Sequence, residues 1–229
     1  MGFTGADISA VCNEARLIAI TQDADSITTE ILEEAVDRKI FKGNRVKNGA
    51  KRKHSEEISI VAHHEAGHAL MSVLLHVPVA RATIVGTTSG SGGAVFREDE
   101  QKSLTSRKDM LNRIMIAYGG RAAEELIFGA ENVTTGAIND IQQATAILKS
   151  YISDYGFDED TGLLSLEILY EQKLLSERVV KRAEQLSGML YSQTVTMLYQ
   201  NKDKLLRLAK ALSEKETMTG DEIVSLVGE

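Results

Sequence analysis

The stretch His64-Glu65-Ala66-Gly67-His68 is the most informative part of this chain, because its H-E-x-x-H spacing suits a helical metal site. At 3.6 residues per turn, positions 64 and 68 share one face of a helix and lie roughly 6 Å apart along its axis. Both imidazole rings can therefore reach one ion. Glu65 lies beside them and is a candidate general base. The pattern predicts two zinc ligands, His64 and His68, and one catalytic carboxylate, Glu65.

The helix predicted around this motif packs against a core. Apolar residues continue at helical spacing downstream of it, at Ala66, Ala69, Leu70, Val73, Leu74 and Val77. Gly67 interrupts this run at a cost of about 1 kcal/mol relative to alanine. A glycine at such a position indicates that something approaches the backbone closely there. The two histidines are thus expected to stand on a rigid, buried element.

A catalytic zinc site needs a third protein ligand, and the other histidines and the cysteine are poor candidates. His63 points away from the face that carries the pair. His76 lies roughly 12 Å beyond His68 along the helix axis, and His54 belongs to a basic segment. The single Cys12 has no C-x-x-C partner, which excludes a thiolate-rich site. The third ligand is therefore expected to be a carboxylate from another element.

Two segments offer such a carboxylate. Residues 119–126 place the pair Glu124 and Glu125 after a double glycine, and residues 134–141 place Asp140 at the start of a helical pattern. An acidic pair on a helix usually faces solvent, and an aspartate in a first turn usually offsets the helix dipole. Spacing alone does not choose between the two segments. The apolar helix face that begins at Asp140 favours it slightly.

The chain resembles the C-terminal part of the FtsH family of membrane-anchored, ATP-dependent AAA+ zinc metalloproteases. The resemblance rests on H-E-A-G-H-A at 64–69, Y-G-G-R-A-A-E-E-L at 118–126 and T-G-A-I-N-D-I at 135–141. In that family the aspartate of N-D-I is the third zinc ligand, and Asp140 occupies its position. The resemblance therefore implies one Zn²⁺ per chain, held by His64, His68 and Asp140, with Glu65 as the catalytic residue.

A mainly α fold is expected, with a small β element. Residues 1–41 contain two helical patterns and resemble part of an AAA+ helical lid. Residues 42–57 form a basic linker flanked by glycines, and residues 58–229 form a helical zinc-peptidase domain. Only residues 81–85 and 93–97 have the composition of strands. One proline in 229 residues favours long, uninterrupted helices.

Composition limits the classes of partner. With 26 basic and 33 acidic residues, the net charge of −7 argues against nucleic acid as a general partner. The sequence has no Walker A loop and no run of about 18 apolar residues. ATP would therefore act only through an AAA+ module outside this chain. We expect a soluble C-terminal fragment whose membrane contact depends on segments that this chain lacks.

The resemblance implies a zinc-dependent endopeptidase that hydrolyses unfolded or membrane-extracted proteins, normally coupled to an ATP-driven unfoldase. It also implies a homo-hexamer, located in the full-length bacterial protein at the cytoplasmic side of the inner membrane. Residues 92–96 could pair with an extended peptide as an edge strand. Two alternatives differ in testable ways: a catalytically inactive oligomerisation or docking module of the same fold, and a zinc site of the thermolysin type with Glu124 or Glu125 as third ligand.

Overall fold

A computed structural model describes residues 3–41, 55–86, 92–97, 104–166 and 174–228. The described helices are α1 (Gly5–Thr21), α2 (Thr29–Phe41), α3 (Ser55–Leu74), α4 (Arg107–Phe128), α5 (Ile138–Ser153), α6 (Leu174–Gln200), α7 (Lys202–Lys215) and α8 (Gly220–Gly228). The described strands are β1 (Val79–Thr83), β2 (Ala94–Arg97) and β3 (Thr217–Thr219). The expectation of a mainly α fold with a small β element is confirmed. Most of the predicted linker, with His54, lies outside the described residues.

Helices α1 and α2 form a small unit with a core of its own. The predicted entry at Thr4 is a capping box, in which the Thr4 hydroxyl accepts from the Asp7 amide and the Asp7 carboxylate accepts from the Thr4 amide. The buried apolar residues of this unit are Val11, Ala15, Ile18, Ala19, Ile31 and Ala35. The two helical patterns predicted in residues 1–41 are confirmed.

The sheet is antiparallel, with strand order β2-β1-β3. Thr83 in β1 pairs with Ala94 on one side and with Thr217 on the other, so β2 is an outer strand of the sheet that the described residues form. The expectation of only two strands was wrong. β3 is three residues long and comes directly before α8, where the sequence shows chiefly the capping box of Thr219 and Glu222, which the structure contains.

Helices α3 and α4 cross with their backbones in contact at two glycines. A Cβ atom added to Gly67 would lie 2.3 Å from the carbonyl oxygen of Gly119, and one added to Gly119 would lie 2.7 Å from the carbonyl oxygen of Gly67. No side chain fits at either position. The close approach predicted from Gly67 is therefore confirmed, and the neighbour is α4. The crossing fixes the face of α3 that carries His64 and His68 against α4.

The larger core surrounds this crossing. It includes Ala66, Leu70, Ile114, Ala122, Leu148, Leu190, Leu198, Leu205, Leu208, Leu212 and Ile223. These residues come from α3, α4, α5, α6, α7 and α8, so the apolar spacing of the C-terminal third serves packing, as expected. Among the described residues, no helix combines the length and the apolar composition that a membrane crossing requires.

Arg81 connects the α1–α2 unit to the sheet. Its guanidinium lies over the ring of Phe96 in β2, 4.3 Å from the ring centroid, and forms an ion pair with Asp37 of α2. Only 4% of the Asp37 side chain is exposed. One side chain of β1 thus contacts both the edge strand and the N-terminal helical unit.

Replacing Gly188 by alanine should stabilise the protein. Gly188 lies inside α6, and a Cβ atom added there meets no described residue within 4 Å. Alanine lowers the conformational entropy of the unfolded chain at no steric cost, so we expect a gain of about 0.5–1 kcal/mol in the free energy of unfolding. Denaturant titration of both proteins measures it. A loss of stability would show that position 188 contacts a neighbour that the single chain does not contain.

Candidate metal centre

Three side chains from two helices converge at the α3–α4 crossing. His64 and His68 are both buried on one face of α3, with their Nε2 atoms 3.0 Å apart. Asp140 lies in the first turn of α5, which follows a short 3-10 turn at Thr135–Ala137. Its Oδ2 atom is 3.2 Å from Nε2 of His64 and 3.4 Å from Nε2 of His68. The structure therefore brings the three predicted ligand side chains together as a triangle of donor atoms.

The spacing and chemistry of this triangle fit a zinc ion. Ligands of tetrahedral zinc lie about 2.0–2.1 Å from the metal, which puts neighbouring donor atoms roughly 3.3 Å apart. The three observed distances bracket that value. Two imidazole nitrogens and one carboxylate oxygen also form a common donor set for catalytic zinc, which leaves a fourth position for water or substrate. Among the described residues, this is the one group of three such side chains that could hold a metal ion.

The hydrogen bonds on the far side of each ring orient the histidines. Nδ1 of His68 donates to the backbone carbonyl of Ile116, and Nδ1 of His64 donates to Oε1 of Glu124, both at 2.7 Å. A carbonyl or carboxylate oxygen only accepts, so each neutral ring carries its proton on Nδ1 and directs the lone pair of Nε2 into the triangle. Lone pairs that face one another at 3.0 Å require a positive charge between them.

Glu124 connects the proposed ligand His64 with the segment that leads into α5. While Oε1 accepts from His64, Oε2 accepts from the backbone amide of Thr134 at 2.7 Å, just before α5. Only 1% of Glu124 is exposed. Its carboxylate lies on the side of the His64 ring opposite to the triangle, and Glu125 instead accepts from the hydroxyl of Tyr191. Neither of these two candidate ligands lies in the triangle, and sequence analysis missed the contact of Glu124 with His64.

The electrostatics of the cluster favour a bound positive charge. Burial lowers the pKa of His64, but hydrogen bonds to Asp140 and Glu124 outweigh it and raise that pKa to about 10. Burial would raise the pKa of Asp140 and of Glu124, yet their contacts with the histidines hold both values below the usual range. A proton on His64 can provide the positive charge, and so can a metal ion.

A second glycine of α4 makes room for the metal-facing nitrogen of His64. A Cβ atom added to Gly120 would lie 2.4 Å from Nε2 of His64. Gly119 and Gly120 therefore have different tasks, since the first permits the helix crossing and the second leaves the donor atom accessible. The double glycine in the sequence thus corresponds both to the helix crossing and to the space beside His64.

Glu65 and the donor triangle line one cavity of about 330 Å³. The cavity lies between α3, α5 and the segment that enters β2, from Gly92 to Val95. Ile60 and Val61 add an apolar wall one turn before the motif. Only 6% of Glu65 is exposed, so a buried carboxylate that can accept a proton lies next to the candidate metal position.

His63 and His76 lie outside the donor triangle. Nδ1 of His63 donates to the carbonyl of Ser59 at 2.7 Å, and the His63 ring contacts the edge of Phe128. His76 lies just beyond the end of α3 with a left-handed φ of 57°. Neither belongs to the donor group, as the spacing of the sequence predicts.

Metal binding should strengthen as pH rises, because a proton and a metal ion compete for Nε2 of His64. The raised pKa, about 10, means that below this pH the metal must displace a proton. Zinc affinity should therefore increase about tenfold per pH unit between pH 7 and 9. Competition with a chelator of known proton affinity measures it. A pH-independent affinity would contradict the competition.

The metal-free protein should show the opposite trend in stability. A pKa that is raised by folding contributes stability that is fully present below the unfolded value of 6.5 and is lost as pH rises through about 10. The thermal midpoint of the metal-free protein should thus fall between pH 7 and 10. His63→Gln, outside the triangle, is the control that should retain this dependence.

Comparisons with known proteins identify the family of this chain. Residues 51–226 match the model of peptidase family M41, and residues 1–34 match that of the AAA+ lid domain. The chain is 38% identical to the ATP-dependent zinc metalloprotease FtsH 2 of Sphaerobacter thermophilus, over 99% of this chain and 35% of that protein. It is 33% identical to the ATP-dependent zinc metalloprotease FtsH of Lancefieldella parvula, over 99% and 36%.

A plant relative gives a similar result. The chain is 34% identical to the chloroplastic ATP-dependent zinc metalloprotease FTSH 1 of Oryza sativa subsp. japonica, over 98% of this chain and 35% of that protein. The chain therefore spans little more than a third of the length of the curated relatives that it matches.

Proposed function

Because the chain belongs to peptidase family M41, we propose that it hydrolyses peptide bonds with a zinc ion held by His64, His68 and Asp140. One observation carries this proposal: three donor atoms with the spacing of zinc ligands share a cavity with the buried carboxylate of Glu65. The three distances within the triangle and the orientation of both rings support the ligand assignment.

In this proposal, each side chain of the site has a distinct task. Zinc, when bound, supplies Lewis-acid activation of water and of the scissile carbonyl. Glu65 takes a proton from the attacking water as its oxygen bonds to the carbonyl carbon, and later gives that proton to the leaving amine as the carbon–nitrogen bond breaks. Glu124 and the Ile116 carbonyl hold the two histidine rings in the required orientation.

The proposed substrate is an extended peptide. β2 is an outer strand among the strands that the structure describes, and its first residues line the cavity, so we propose that a peptide adds beside this strand by main-chain hydrogen bonds while its scissile bond lies near Glu65. Such pairing selects an extended backbone, not a particular sequence. Folded domains do not present one. We therefore propose loose, unfolded or membrane-extracted chains as substrates.

The whole protein is proposed to supply them by ATP-driven unfolding. The match of residues 1–34 to an AAA+ lid domain supports this coupling, as do the words "ATP-dependent" in the names of the relatives. We also propose a division into residues 1–41 as part of the lid, 42–57 as linker and 58–229 as peptidase domain. On the basis of the resemblance to the FtsH family, we also propose that the whole protein forms a homo-hexamer at the cytoplasmic side of the inner membrane.

Digestion of an unfolded protein tests the activity directly. The purified chain, loaded with one zinc ion, should cleave casein. Cleavage should stop when a chelator removes the metal and resume when zinc is restored. A chain that binds zinc in this site yet cleaves neither casein nor short peptides would favour the inactive docking module. A chain that binds no zinc would overturn the proposal.

A further inference from the structure

The backbone of Gly93 lies against the carboxylate of Glu65. A Cβ atom added to Gly93 would lie 2.7 Å from Oε1 of Glu65 and 2.8 Å from its Cγ. It would also lie 2.7 Å from the backbone carbonyl oxygen of Thr83 in β1. No side chain fits there unless both neighbours, Glu65 and Thr83, shift. The candidate general base therefore rests directly on the main chain that enters β2.

Space, and not backbone conformation, accounts for this glycine. The glycines with a positive φ among the described residues are Gly129, Gly156 and Gly162, so Gly93 adopts a backbone conformation that other residues also adopt. The site has no room for the methyl group of an alanine at position 93. This distinguishes Gly93 from a turn glycine, since its substitution should act through contacts with Glu65 and Thr83 and not through an unfavourable backbone φ.

The position of Gly93 connects the base to the substrate strand. Gly93 directly precedes Ala94, the first residue of β2, and Ala94 pairs with Thr83. Its neighbours Gly92 and Val95 line the cavity that contains Glu65 and the donor triangle. A peptide paired with β2 is therefore held by the same short segment on which the carboxylate of Glu65 rests.

We propose that Gly93 is a positioning residue for the reaction: its bare backbone sets how far the Glu65 carboxylate lies from a peptide held on β2. This inference rests on the proposed peptidase function. Of the two neighbours that a methyl group would meet, the Thr83 carbonyl is fixed in the sheet, whereas the Glu65 carboxylate is the end of a flexible side chain. Alanine at position 93 should therefore displace the carboxylate and also strain the contact with the Thr83 carbonyl, while the ligand triangle stays in place.

Gly93→Ala should keep zinc and the fold but slow the chemical step, with some loss of stability from the contact of the methyl group with the Thr83 carbonyl. A misplacement of about 1 Å in a catalytic group can cost roughly 10²-fold in rate, so we expect kcat to fall by about 10- to 100-fold. KM should change less than kcat, because β2 keeps its pairing with β1. Zinc content, thermal midpoint, kcat and KM are measured on the same preparations. Gly188→Ala, the same substitution where no described residue lies within 4 Å, should leave all but the thermal midpoint unchanged.

A double-mutant cycle with Glu65→Asp tests whether Gly93 acts through Glu65. Aspartate is one methylene shorter, so its carboxylate draws back from position 93. Glu65→Asp should therefore reduce kcat less in the Gly93→Ala protein than in the wild type, by at least about threefold. Additive effects would overturn the proposal, as would a wild-type kcat in Gly93→Ala.

Two further outcomes separate this inference from the proposed function. If Gly93→Ala loses zinc or unfolds while Gly188→Ala does not, Gly93 supports the fold and its assignment as a positioning residue is wrong. If the zinc-loaded wild type itself cleaves no peptide, the proposed function fails and this inference fails with it. The wild-type measurement alone identifies the second case.

Discussion

Replacing Glu65 by glutamine should abolish most peptide hydrolysis and leave zinc in place. The amide has nearly the same shape as the carboxylate but cannot take a proton from water, and general-base catalysis is worth about 10²- to 10⁴-fold. Glu65 lines the cavity but lies outside the donor triangle, so each proposed ligand remains. Hydrolysis of an unfolded substrate and the metal content of the same sample together measure the effect.

Glu57→Gln provides the matched control for that experiment. Glu57 is an exposed residue in the first turn of the same helix, α3, and does not line the cavity, so its substitution removes an equal charge outside the site. Its activity should equal that of the wild type. Undiminished cleavage by Glu65→Gln would mean that another group takes the proton, and a loss of zinc would mean that Glu65 helps to hold the metal.

Asp140→Ala should lower zinc occupancy more than any other single carboxylate substitution at the site. It removes the anionic oxygen that lies 3.2 Å from one imidazole nitrogen and 3.4 Å from the other. The two histidines alone then provide only half of a tetrahedral shell. Titration with zinc against a chromophoric chelator measures the affinity, and activity should fall with it. Asp140→Asn, which keeps the shape, should be impaired in the same direction.

Comparison with Glu124→Gln makes the ligand assignment falsifiable. Glu124 orients His64 from behind, and loss of such a partner costs about 10- to 100-fold in metal affinity or activity. We therefore expect its zinc affinity to lie between those of Asp140→Ala and the wild type. Glu131→Gln, at an exposed position in the turn after α4, should bind zinc normally. A larger loss with Glu124→Gln than with Asp140→Ala would make Glu124 the ligand.

Local signals in the sequence predicted much of the fold. The helix that carries the motif follows from apolar periodicity, and the capping boxes at Thr4 and Thr219 follow from residue pairs three positions apart. β3 could not be found in this way, because it is only three residues long. Its pairing with β1 joins Thr217 to Thr83, and such distant contacts leave no periodic pattern in a short segment.

The site residues likewise include some that local sequence patterns predict and some that only distant contacts bring together. His64 and His68 come from one helix, so their spacing alone places them on one face. Asp140 comes from another helix, and spacing left it in competition with Glu124 and Glu125 until the resemblance to the FtsH family favoured it. One signal for Glu124 was available, since Gly120 lies four residues before it and so shares its face of α4. Both face His64 in the structure.

The backbone contact between Gly67 and Gly119 has a consequence for motion. It is buried among fully enclosed residues of both helices, including Ala66, Ala69 and Ala122. Amide protons in such a region exchange with solvent only when the whole domain unfolds, whereas a short edge strand opens locally at far lower cost. We therefore expect His64 and His68 to belong to the slowest-exchanging part of the molecule, and we expect the motion that would admit the proposed peptide substrates to come from the β2 side.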